Sequence, residues 1–85
     1  MTKSEKVPAG AVVEFKTPNR FPNQPDIGWI DEHDNRIPTG AKGMIIKASY
    51  KRLKDFRGWE YDIHIPSLGI VSPNWGKFAF DVICS

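Results

Sequence analysis

The sequence predicts a small all-β domain, five short strands closed into a barrel with a long proline-rich loop after the first strand. Seven prolines and seven glycines punctuate its 85 residues so often that no helical pattern of three turns survives. Trp59, Tyr61, Ile63 and Ile65 alternate with Glu60, Asp62 and His64, a period of two without exception. The other β-branched and aromatic runs are short and bounded by turn residues. Closing such strands into a barrel removes the exposed edges that invite aggregation.

Residues 1–10 read as a flexible polar tail and residues 11–85 as the domain. Ala11 to Lys16 (AVVEFK) starts after Pro8-Ala9-Gly10 and stops at Thr17-Pro18-Asn19, which suits a first strand. Pro18, Pro22, Pro25 and Pro38 then mark the long loop, pinned by Phe21, Ile27 and Trp29, with a short strand over residues 28–31. The turn Gly40-Ala-Lys-Gly43 launches a strand from Met44 to Arg52, with Met44, Ile46, Ala48 and Tyr50 on one face and Ile45, Lys47, Ser49 and Lys51 on the other. This strand and residues 59–65 are consecutive and closely connected, so they should form an antiparallel hairpin. Glu60 and Asp62 would then face Lys47 and Lys51 and partly cancel their charge. Residues 69–72 form a short strand, Pro73 to Gly76 a turn, and Phe78 to Ile83 a last strand that pairs with the first.

Composition sets limits on function. Three Trp, five Phe and two Tyr supply a small aromatic core, which a chain this short needs because it buries only about 60% of its unfolded surface. No run approaches the roughly 18 apolar residues of a membrane span, and the first residues hold no apolar stretch of the signal-peptide kind, so a cytoplasmic protein is expected. Cys84 is the only cysteine, which excludes an internal disulfide and a multi-cysteine zinc site. The net charge is only +2, but from Lys42 to Arg57 six basic residues stand against Asp55 alone, after the acidic stretch Asp31-Glu32-His33-Asp34.

From Asp31 onward the order of features resembles an SH3-like barrel: an acidic loop, the strand entry Gly40-Ala-Lys-Gly-Met-Ile-Ile46, a basic hairpin loop, Gly58-Trp59, and Gly69-Ile-Val-Ser-Pro-Asn-Trp75. In signalling members of that family, a Trp after the hairpin loop and a Pro-Ser-Asn-Tyr turn form a groove for proline-rich peptides. Trp59 and Ser72-Pro73-Asn74-Trp75 are similar to those elements. The Ala-Leu-Tyr-Asp-Tyr segment has no counterpart here, Ser and Pro exchange places, and Trp stands where those members have Tyr. The openings Ala9-Gly10-Ala11-Val12-Val13 and Thr39-Gly40-Ala41-Lys42-Gly43-Met44-Ile45 also resemble KOW-type and photosystem-accessory versions of the barrel.

Several residue groups are candidates for function. Lys47, Lys51, Arg52, Lys54 and Arg57, with Phe56 at the hairpin tip, suit phosphate binding with a base stacked on Phe56. A solvated hairpin protected by its charges accounts for all of them except Phe56. Trp29, Trp59 and Trp75 offer an aromatic groove, although Trp59 shares its face with Tyr61, Ile63 and Ile65 and is better placed in the core. Asp31, Glu32, His33 and Asp34 alternate in direction along an extended loop and converge poorly on a metal, so a solvated loop open to a basic partner is expected. His64 and Asp62 lack a nucleophile placed beside them, so no catalytic residue, metal or cofactor is assigned. The expected function is a non-catalytic docking module for a protein partner, using Asp31, Glu32, Asp34, Trp75, Lys51, Arg52, Lys54, Phe56 and Arg57. Nucleic-acid binding through the hairpin 47–57, or a place as an accessory subunit of a larger complex, are the alternatives.

Overall fold

The structure is a computed structural model and describes residues 6–18, 23, 27–55 and 57–84. Phe21 and Phe56, singled out from the sequence, lie outside the described residues. The chain forms β1 (Val12–Phe15), β2 (Trp29–Ile30), β3 (Arg36–Ile37), β4 (Lys42–Arg52), β5 (Arg57–Ile65), β6 (Ile70–Trp75), a 3-10 turn η1 (Lys77–Ala79) and β7 (Phe80–Cys84). The domain is all-β. Five strands make one antiparallel sheet in the order β6-β5-β4-β1-β7, and β2 pairs with β3 as a small two-stranded sheet inside the long loop.

The hairpin of β4 and β5 forms as expected, and β7 pairs with β1 from Phe15↔Phe80 to Val12↔Cys84. Among the described residues no ladder joins β6 to β7, so the closed barrel expected from the sequence is not found as a continuous ring of backbone pairs. The sheet nevertheless curls over its core. Phe15 of β1 and Trp75 of β6 are three strand positions apart, a separation of about 14 Å in a flat sheet. Their ring centroids lie 5.2 Å apart, and those of Tyr61 in β5 and Phe80 in β7 lie 5.8 Å apart.

All five strands feed this core, with Val13, Phe15, Ile45, Tyr61, Ile63, Ile65, Trp75 and Phe80 buried. The alternation read in residues 59–65 holds, since Tyr61, Ile63 and Ile65 point inward and Trp59 packs half-buried at the margin. Gly43 is required where β4 crosses β5, because a Cβ there would meet the Ile63 side chain and the His64 carbonyl.

Three readings need correction. Residues 7–10 belong to the fold rather than to a tail: Val7 is 6% exposed, its N–H donates to the Tyr61 hydroxyl at 2.9 Å, and the Gly10 N–H donates to the Ile45 carbonyl at 2.7 Å. On β4 it is Ile45 that enters the core, while Met44 and Ile46 are exposed. The register slips between Ile45↔Ile63 and Lys47↔Asp62, so Ile46 is an extra residue that reverses the phase of the strand. Beyond it Ala48 and Tyr50 lie opposite Tyr61 and Trp59, as the alternation of β5 demands. Finally, β6 runs on through Pro73 to Trp75, where a turn was expected, with Asn74 in the left-handed region at φ 62°.

Candidate functional site

The acidic stretch divides between interior and surface. Asp31, immediately after β2, is only 7% exposed and turns its carboxylate inward. Its Oδ1 accepts from the backbone N–H groups of His33 (2.8 Å) and Asn35 (2.9 Å). Its Oδ2 accepts from the Ser72 hydroxyl (2.6 Å) and the Asn35 side-chain amide (3.2 Å). Burial alone would raise the Asp31 pKa, but the hydrogen bonds from Ser72, Asn35 and His33 together outweigh it and hold the carboxyl below its ordinary value of 3.8. Asp31, expected in the docking surface, thus organises its own turn and keeps its carboxylate facing inward. Glu32 and Asp34 remain exposed, with Asp34 at φ 62°.

Trp75 likewise faces inward. It is 7% exposed, packs edge-on against Phe15 and Trp29, and donates its indole N–H to the Ser72 hydroxyl at 2.7 Å. A chain of hydrogen bonds thus runs from Trp75 through Ser72 to Asp31 and ties the acidic turn to β6. Beside it, Asn74 donates its side-chain amide to Glu32 Oε1 at 2.8 Å and its backbone N–H to Asp62 Oδ1 at 3.2 Å. Ile30, Asp31, Glu32, Pro73, Asn74 and Trp75 line a cleft of about 120 Å³. That is below the roughly 300 Å³ of a small-molecule pocket and suits one side chain of a partner.

The exposed aromatic at this end is Phe78, which the sequence reading did not single out. Phe78 is 68% exposed, yet it is held in place: Trp29 lies edge-on to it with centroids 5.8 Å apart, and the ring sits over Gly76, where a Cβ would collide with it. Trp29 is itself anchored by donating its indole N–H to the Lys16 carbonyl at 2.8 Å. The signal for Phe78 was the Gly76-Lys77-Phe78 sequence, since a glycine two residues before a ring leaves space for that ring over the backbone.

At the hairpin, Arg52, Lys54 and Arg57 are exposed and Lys51 is half-buried. Lys47 stands opposite Asp62 as expected, but Lys51 stands opposite Gly58, and Glu60 opposite Ser49. His64 lies on the outer face between Met44 and Val71, while Asp62 turns to Asn74 rather than to His64. Cys84 is exposed on β7. Among the described residues no helix is long and apolar enough to cross a membrane. The chain matches no known family, no curated protein and no solved structure.

Proposed function

We propose that the chain is an SH3-like barrel that serves as a non-catalytic docking module for a protein partner. The barrel reading is supported by the curl of the sheet, which brings rings of β1 and β6, and of β5 and β7, into contact across the core. The docking reading rests on Phe78. A phenyl ring 68% in water gains little for folding, yet Trp29 and Gly76 fix its position, and rings held rigid before binding are typical anchors of protein interfaces. Trp29 continues through Ile30 into the acidic turn, which carries the exposed Glu32 and Asp34. The surface fits an extended segment that lays an apolar side chain on Phe78 and Trp29 and a Lys or Arg against Glu32. Phe78, Trp29, Glu32 and Asp34 replace the buried Trp75 and Asp31 in the docking surface expected from the sequence.

Selection from a random peptide library, followed by NMR mapping on the labelled domain, tests this. Enriched peptides should pair basic with apolar residues and shift the Trp29 indole and the amides of Glu32 and Phe78. Phe78→Ala should keep the fold and weaken those peptides at least tenfold. Peptides that bind the folded Phe78→Ala domain equally well would remove the anchor and the reading with it.

A further inference from the structure

We infer that the β4–β5 hairpin carries a second site, a stacking platform for single-stranded nucleic acid, which shares no residue with the docking surface. The platform follows from the register. Tyr50 and Trp59 face each other directly across the hairpin, edge-on with ring centroids 5.3 Å apart, and Tyr50 is 49% exposed. The next residues on the same face, two positions further along each strand, are Arg52 and Arg57, also directly opposed and both exposed. From a separate part of the chain, Lys6 places its Nζ 5.3 Å from the centre of the Trp59 ring. Two strands and the segment before β1 therefore bring three cations around one pair of rings.

Among the described residues the charges of this face are not neutralised. Like charges directly opposed across a hairpin oppose its formation. Among the described residues neither arginine lies within ion-pair distance of a carboxylate. The sequence suggested that Glu60 and Asp62 cancel the basic strip, but they alternate with Arg57 and Trp59 along β5. They point to the opposite face, toward Ser49 and Lys47. Lys47 stands opposite Asp62 on that face, and the arginines are left to an outside anion.

The ring pair identifies the kind of anion. Phosphates need only the cations, whereas an exposed ring set beside a pair of arginines provides a surface for an unpaired base, and stacking of that kind accepts any base. Paired bases are not available to Tyr50, so a duplex uses only part of the site. An acidic protein segment would meet the arginines and leave the ring face unused.

Fluorescence anisotropy of the full chain with labelled dodecamers of dT and U, the matching duplex, and poly-aspartate, each at 50 and 200 mM salt, tests the site. Single strands should bind more tightly than duplex, with affinity falling as salt rises. Arg52→Ala with Arg57→Ala should weaken the single strand at least tenfold and lower the salt slope by about 1.4, the loss of two phosphate contacts. The double variant should melt no lower than the parent, since a repulsive pair has been removed. Tyr50→Ala, or Tyr50→Leu where the smaller residue unsettles the hairpin, should weaken binding about tenfold with the salt slope unchanged. No single-strand binding at 50 mM salt overturns the proposal. So does an affinity indifferent to the arginines, and equal affinity for duplex or poly-aspartate reduces the site to a general polyanion patch. The Phe78→Ala variant should bind the dodecamers normally, which separates this test from that of the docking surface.

Discussion

Asp31 accepts four hydrogen bonds and Ser72 joins it to Trp75, so one carboxylate holds a turn, a strand and a ring in register. Asp31→Ala strands the buried Ser72 hydroxyl and three partly buried donors and should destabilise the domain by about 2–3 kcal/mol in urea unfolding. The pH dependence has a definite sign. Because the folded carboxyl titrates below its unfolded value of 3.8, its stabilisation is full above that value and is lost as pH falls through the folded pKa. The melting-temperature gap between the parent and Asp31→Asn should therefore be constant near neutrality and shrink from about pH 5 downward. A constant gap into strong acid would assign the stabilisation to packing instead. Nothing in Asp31-Glu32-His33-Asp34 distinguishes the inward residue by charge. The distinguishing sign is positional: Asp31 follows the apolar Trp29-Ile30 pair and precedes Asp34-Asn35, residues suited to a turn that closes on an aspartate side chain.

Among the elements, β5 was legible from Trp59 to Ile65 because its inward and outward residues differ at every step there, while its first two residues, Arg57 and Gly58, read as loop. Its partner was legible only beyond the bulge. Met44, Ile45 and Ile46 are all apolar, so periodicity could not choose which of them enters the core, and the extra residue at Ile46 inverted the phase read from the far end. This makes an unusual deletion tolerable. Without Ile46, Ile45↔Ile63 is followed directly by Lys47↔Asp62 and Ala48↔Tyr61, a regular ladder with every inward residue still inward. The deletion variant should fold with its core amide shifts retained. Deletion of Ser49, within the regular ladder, should instead turn Tyr50 away from Trp59 and abolish the near-UV dichroism of that pair. Loss of folding on removing Ile46 would show that the bend, rather than the register, is indispensable. The two-residue strand β3 was invisible for a different reason, since Arg36-Ile37 is too short to display a period.

For the molecule as a whole, the hairpin of β4 with β5 and the pairing of the last strand with the first were readable, while the place of β1 beside β4 and the extent of the domain were not. Val7 is one apolar residue in a polar run, and nothing in Met1-Thr-Lys-Ser-Glu-Lys6 suggests that it reaches the core beside Tyr61. Removing residues 1–10 uncovers that site and leaves the Tyr61 hydroxyl without its donor. It should cost about 2–4 kcal/mol, measured as a lower urea midpoint with little change in slope. A midpoint unchanged by the truncation would return these residues to the role of a tail. The same truncation removes Lys6 from Trp59, so single-strand affinity should fall even under conditions where the shortened domain remains folded.

Placing β1 between β4 and β7 also sets a timetable for synthesis. Synthesis runs from β1 through β4, β5 and β6 to β7, so the strand that covers the outer edge of β1 is the last of the five to be made. Until then the outer edge of β1 has no strand beside it, and Phe15 and Tyr61 lack the ring that covers them both. A chain without Phe80–Cys84 would therefore carry an open hydrophobic seam beside β1. Its closure comes last, when Phe80–Cys84 emerges and lies down along β1.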